Sequence, residues 1–175
     1  PNWTNNAAND STLAYFGPTW LSWSIGIRSE ETASYGNWGF VNAPDDYFWG
    51  GTFLMAPTTC DMRATAGQMM YDLCIDQDIM TKICSEDGDY VNSRAIMQAA
   101  ADDPNGGVAW LGGQNPFPLL VGIADGIDAT KISGNDGKIW DNFGSAAGAY
   151  FSGDTATIED AKATFEANLK DAGLL

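Results

Sequence analysis

Short apolar runs mark the first third of the chain, and helical periodicity marks the rest. Leu13-Ala14-Tyr15-Phe16, Trp38-Gly39-Phe40-Val41 and Thr52-Phe53-Leu54-Met55-Ala56 are apolar runs of four or five residues. Each is closed by a proline turn: Gly17-Pro18, Asn42-Ala43-Pro44 and Pro57. Runs of that length between turn residues predict buried strands. Residues 19–27 place Trp20, Trp23 and Ile27 at helical spacing, with Pro18 suited to the first turn. Residues 28–36 are polar and read as a loop.

Residues 62–75 predict a helix capped by Asp61, with Met62, Ala66, Met69, Met70 and Leu73 on one face. Further helices are predicted over 76–84, 93–101, 117–126, 138–151 and 157–172. The last opens on Thr157 with Asp160 three residues later, the spacing of a capping box. Val108-Ala109-Trp110-Leu111 reads as a short extended piece. A few strands early and many helices late predict an α/β fold with a few-stranded sheet. Residues 1–12 read as a polar lead-in or linker, and 13–175 as the folded part.

Charge narrows the partners. The 175 residues carry 23 acidic and 8 basic side chains and no histidine, a formal net charge of −15. So few cations do not form the basic footprint that nucleic acid requires. The charge also opposes docking on anionic lipid. Without histidine, Ser-His-Asp and Cys-His catalysis and His-ligated zinc are excluded. An uncharged or cationic ligand fits this balance. Cys60, Cys74 and Cys84 contain no C-x-x-C pair and read as buried thiols, with a Cys74–Cys84 bridge as the alternative.

Aromatic residues beside small-residue turns are the most informative chemistry. Trp20 follows Gly17-Pro18, Tyr47-Phe48-Trp49 precedes Gly50-Gly51, and Phe117 follows Gly112-Gly113-Gln114-Asn115-Pro116. Aromatic faces suit the apolar C–H faces of sugar rings, and Gln114 and Asn115 could read the hydroxyl rims. Glycine lets backbone approach a ligand closely, which brings Gly50 into the same set. Trp38, Trp140, Phe143 and Phe165 read most simply as core. Asp45-Asp46 and Glu30-Glu31 could supply a glycosidase pair, but loop carboxylates are expected by chance among 23. No calcium or phosphate loop has the required spacing, so neither a metal nor a cofactor is expected.

Four segments resemble the carbohydrate-binding proteins of ABC transporters, the extracellular solute-binding proteins related to maltose-binding protein. Ala14 to Trp20 resembles their strand, Gly-Pro-x-Trp, helix element. Asn37 to Pro44 is similar to the strand that follows it, and Tyr47 to Thr59 to their aromatic-Gly-Gly strand with its proline turn. Trp110 to Pro116 resembles the Leu-Gly-Gly-Gln-Asx-Pro loop of one sugar-binding branch. The resemblance implies the C-terminal portion of a two-lobed periplasmic-binding-protein-like fold, closing on sugar by hinge motion. It implies delivery of the sugar to a membrane permease, without catalysis. It also implies an extracellular or periplasmic location, with the full-length protein tethered as a lipoprotein. Trp20, Tyr47, Phe48, Trp49 and Gly50 would face one side of the cleft, and Gln114, Asn115 and Phe117 the other. The helix after Pro57 would meet an N-terminal lobe missing here, and self-association could cover the surface so exposed. The alternatives are a glycoside hydrolase or other carbohydrate-active domain, and a surface interaction module without a small ligand.

Overall fold

A computed structural model describes residues 6, 7 and 12–175; the rest of the polar lead-in at 1–12 lies outside the described residues. The chain forms two compact units, Pro1–Ile127 and Asp128–Leu175.

The expected α/β fold, and with it the two-lobed architecture built on a sheet, is corrected. Among the described residues there is no strand, and the protein is helical. The apolar runs at 13–16, 38–41 and 52–56 have no regular secondary structure, and among the described residues no run finds a neighbour to form a ladder. A strand is stable only when its N–H and C=O groups meet a partner chain. Phe53 and Met55 are 83% and 86% exposed, so the third run is not a buried strand either. Phe40 shows what replaces the sheet. Its N–H donates to Gln114 Oε1 at 2.6 Å, and its carbonyl accepts from Gln114 Nε2 at 2.7 Å. One side-chain amide thus supplies the pairing that a neighbouring strand would have given.

In the first unit, α1 (Leu21–Ser24) is a single turn, much shorter than the helix expected over 19–27. It is followed by α2 (Arg63–Cys74) and α3 (Gln77–Lys82), which runs into a π-helical turn at Ile83–Asp87. Asp76 caps α3, accepting from the N–H groups of Asp78 and Ile79, each at 3.0 Å. Asp61 does not cap α2: Met62 holds the N-cap position and makes no side-chain cap bond. The π-turn ends at Gly88, whose φ of +62° is a left-handed conformation suited to glycine. Next come α4 (Arg94–Asp102), a 3₁₀ turn at Ala109–Leu111 where an extended piece was expected, and α5 (Phe117–Gly126).

Two apolar clusters hold this unit. One joins Met80, Cys84, Val91, Met97, Phe117 and Leu120 from α3, the π-turn, α4 and α5. Met97 is its centre, 1% exposed, and its sulfur lies 3.7 Å from Cys84 Sγ and 3.4 Å from the Val91 backbone nitrogen. The other cluster joins Ala7, Leu21, Ile25 and Ile27, with Tyr15, Trp38 and Trp110 packed against it. Of the three cysteines only Cys84 is buried, and all three are free, so neither a Cys74–Cys84 bridge nor a trio of buried thiols forms. Burial, with Asp89 adding to it, pushes the Cys84 thiol up from its ordinary pKa.

Unlike α4, helix α2 has no buried residue. The apolar stripe expected there does not form a buried face: Met62 precedes the helix, and Met69 and Leu73 are exposed, as are Tyr71 and Ile75.

The second unit is a helical hairpin. A 3₁₀ turn at Ala129–Lys131 leads to α6 (Asp136–Ser152) and α7 (Ile158–Asp171). Thr157 caps α7: its hydroxyl oxygen accepts from the Asp160 N–H at 3.1 Å and donates to the Asp160 carboxylate at 2.7 Å. Ala146 and Leu169 are buried, and Phe143 meets Phe165 edge-on at 5.8 Å. Trp140 and Phe143, both expected in the core, are exposed.

Truncating Met97 should cost about 2–5 kcal/mol, because the surrounding cluster can only partly refill the gap. Urea unfolding of Met97→Ala read against wild type checks this; a loss under about 1 kcal/mol would mean a loosely packed centre. The carboxylates offer a second check. Arg94 hydrogen-bonds Asp125, with one of the two contacts at 2.9 Å, and holds its carboxyl below the ordinary range. Thr130 does the same for Asp128, and Ser133 for Asp136. Each lowered value contributes stability that is present above the unfolded carboxylate pKa of about 3.9 and lost as pH falls through the folded value. Carboxyl NMR titrations should place all three midpoints below about 3.9, with Asp125 alone returning upward in Arg94→Ala.

Candidate functional site

The first unit holds a cavity of about 1020 Å³. Four stretches build its wall: 12–28, 34–50, the turns carrying Gly88, Tyr90 and Trp110, and the later part of α5. Two of the runs that fail to make a sheet, 13–16 and 38–41, therefore serve as wall, and the third, 52–56, is not part of it. Because their backbones are not committed to ladders, their side chains line an open concavity between the helices.

Aromatic rings dominate one side. Tyr47 and Trp49 stand with centroids 6.2 Å apart and planes at 60°, and Phe48 lies between them in sequence. All three are partly open to solvent, Trp49 at 48% exposure. The Tyr47 hydroxyl donates to the Gly17 carbonyl at 3.3 Å, tying this segment to the turn before α1. Tyr15 and Trp38 form a second tilted pair at 5.7 Å. The Trp38 indole N–H donates to Ser34 Oγ at 2.9 Å, and Ser34 in turn donates to the Ala7 carbonyl at 2.6 Å. Asn37, Asn42, Asp45 and Asp46 supply polar groups along the same wall.

Arg28 closes the floor. Its side chain is only 5% exposed. The guanidinium carbon lies 4.6 Å from the Trp23 ring centroid and 4.7 Å from that of Trp110, within cation–π range of both. Nε donates to Ser22 Oγ at 2.6 Å, and Nη1 to the Asp87 carbonyl at 2.5 Å. Nη2 faces Asp89 at 3.6 Å, and the other Asp89 oxygen accepts from the Trp23 indole at 3.1 Å. Burial pulls the Arg28 pKa below its ordinary value, and Asp89 and Asp87 pull it back upward.

The expected site residues divide into two groups. Tyr47, Phe48, Trp49 and Gly50 come together on the cavity wall. Trp20, Gln114, Asn115 and Phe117 are not part of its lining. Trp20 is exposed at the N-cap of α1. Gln114 is committed to the Phe40 backbone. Asn115 donates to the Ala100 carbonyl at 3.0 Å and accepts from the Phe117 N–H at 2.9 Å, which starts α5. Phe117 is core, 3% exposed. Arg28, Trp110, Tyr15 and Tyr90 line the cavity, although their sequence context does not mark them for binding. The one available signal for Arg28 is a lone cation after the apolar stretch Ile25-Gly26-Ile27 in a chain of net charge −15.

Among the described residues, no three Cys, Asp or Glu side chains stand close enough to hold a metal ion. Among them, too, no helix is long and apolar enough to cross a membrane. Comparison with known proteins found no matching family model, no matching curated protein and no matching solved structure.

Removing the Arg28 side chain leaves Asp89 half-buried without its cation and two indoles without their stacked partner. Arg28→Ala should therefore lose about 3–5 kcal/mol of stability. Arg28→Lys should recover only part of it, since an ammonium cannot lie flat between two rings and donate in three directions. Chemical unfolding of the two variants checks the order; equal stabilities of Lys and Ala variants would contradict the stacking argument.

Proposed function

We propose that this chain binds a sugar or oligosaccharide in the 1020 Å³ cavity and, as part of a receptor, presents it to an ABC-transporter permease outside the cytoplasm. One observation carries the reading: Tyr47, Phe48 and Trp49 line a large cavity together with Asn37 and Asn42. Aromatic faces stack on the apolar faces of pyranose rings, and amides beside them pair with hydroxyls. The volume matches the upper end of small-molecule sites, room for more than one sugar ring. Binding of this kind makes and breaks no bond.

The receptor part of the reading rests on the four motif resemblances and not on the family's fold, since the described residues form no sheet. The uncovered apolar face of α2 supports it: Met62, Met69 and Leu73 stand where the resemblance puts a contact with a further lobe.

Titration of intrinsic tryptophan fluorescence against a panel of neutral, acidic and amino oligosaccharides tests the reading. At least one class should shift the emission saturably, and Trp49→Ala should weaken that response about tenfold or more, well beyond any loss of stability. A flat response to every sugar would sink the idea.

A further inference from the structure

Arg28 has more hydrogens than its joint uses. A guanidinium carries five N–H donors in a fixed fork and no acceptor. Nε places its hydrogen on Ser22 Oγ at 2.6 Å, and Nη1 places one on the Asp87 carbonyl at 2.5 Å. Nη2 stands 3.6 Å from Asp89 Oδ1, near enough for an ion pair and too far for a hydrogen bond. The second hydrogen of Nη1 and both of Nη2 therefore have no acceptor at bonding distance among the described residues.

These donors are not sealed in protein. Among the described residues, no buried side-chain nitrogen or oxygen lacks a hydrogen-bond partner. Arg28 lines the 1020 Å³ cavity, so the unspent hydrogens open onto that space. The side chain is only 5% exposed, and Trp23 and Trp110 hold the plane of the guanidinium, so it does not swing out to other partners. A fork fixed in this way loses little freedom when an acceptor arrives. Trp110 lines the same cavity, which puts an apolar ring beside that acceptor.

The surrounding charge selects the acceptor. Asp89 already matches the guanidinium, and a carboxylate bonded to Nη2 would crowd it with a second negative charge. Asp45 and Asp46 lie on the cavity wall, and neither joins an ion pair among the described residues. Asp46 stands against the carbonyl end of α5, where a Cβ at Gly126 would overlap its carboxylate. An anionic ligand enters against all of these, and a hydroxyl or ring oxygen accepts a hydrogen bond without that repulsion.

We propose that Arg28 reads the ligand as well as joining the fold. The unspent hydrogens of Nη1 and Nη2 donate to neighbouring neutral oxygens of a sugar, two hydroxyls or a hydroxyl and the ring oxygen, and the cavity takes neutral sugars in preference to acidic ones. The inference rests on the carbohydrate reading and adds to it a named donor and the charge class of the sugar.

The chain has three arginines, and Arg63 and Arg94 are exposed, so side-chain NMR of isotope-labelled arginine isolates Arg28. The labelled full chain is titrated with maltotriose, mannotriose, xylotriose and trigalacturonate, and calorimetry gives the affinities. At least one neutral trimer should bind about tenfold tighter than trigalacturonate at low salt, with the margin shrinking at high salt. Its binding should shift the Arg28 Nε and Nη signals and slow their exchange with water, while those of Arg63 and Arg94 stay in place. Arg28→Lys keeps the charge and removes the fork, and should weaken the neutral trimer about tenfold. Should that variant fold poorly, the wild-type signals decide alone. The inference is overturned, and the carbohydrate reading stands, if a neutral trimer binds without moving the Arg28 signals. The same holds if a folded Arg28→Lys variant binds it unchanged, or if trigalacturonate binds as tightly as the best neutral trimer. If none of the four binds, the inference falls, and a flat response across the wider sugar panel takes the carbohydrate reading with it.

Discussion

The sandwich of Arg28 between Trp23 and Trp110 holds the first unit together. The stretch from residue 12 to residue 62 has a single helical turn and no ladder, so few of its backbone groups are satisfied by their own neighbours. Something must bind it to the helices that follow. Arg28 reaches the Asp87 carbonyl across 59 positions of sequence, and Trp23 reaches Asp89 across 66. Planar, permanently charged and able to donate from three nitrogens while stacked on two faces, arginine is the side chain suited to that joint. The joint also explains why the π-turn ends where it does. Gly88 lets the chain reverse in a left-handed conformation, which presents Asp87 and Asp89 on either side of the guanidinium.

Gln114 is the second joint, and the two together make the cavity. It pairs with Phe40 across 74 positions, so the run at 38–41 is held at Phe40 by one amide and at Trp38 by Ser34 and Tyr15, with no ladder along it. Tyr47 adds a lighter tie to Gly17. A sheet would have drawn these runs within about 5 Å of one another and filled the space with backbone. Point attachments leave it empty instead. The absence of a sheet among the described residues and the presence of a 1020 Å³ concavity are thus one structural fact.

Locally encoded features are legible in the sequence, and features that depend on distant partners are not. The helix at 117–126 is legible because its start is written into neighbours: Asn115 accepts from the Phe117 N–H and Pro118 suits the first turn. Thr157 with Asp160 is legible for the same reason. The runs at 13–16, 38–41 and 52–56 have strand composition, but a strand is a relation between two segments, and composition does not say whether the second arrives. Gln114 and Asn115 have the chemistry of ligand-reading amides, and the same donors and acceptors serve backbone equally well. The role of Arg28 is only faintly marked in the sequence, as a lone cation after an apolar stretch, because the groups that define its joint, Asp87 and Asp89, lie 59 or more positions away. The Tyr47-Phe48-Trp49 segment stands out because three rings in a row beside two glycines are unusual wherever they fall.

The net charge of −15 acquires a local meaning from this arrangement. Spread over a surface, such a charge mainly promotes solubility and repels copies of the chain from one another. In a concave wall the same sign is focused, because the low-dielectric protein behind it confines the field to the opening. Arg28 could have cancelled that field, but it is buried and turned toward Asp87 and Asp89. The carbonyl end of α5 then adds to Asp46 where a lysine in the last helical turn would commonly have offset it. The one cation of the wall is spent on architecture, and the negative charge is left facing the space where aromatic rings wait.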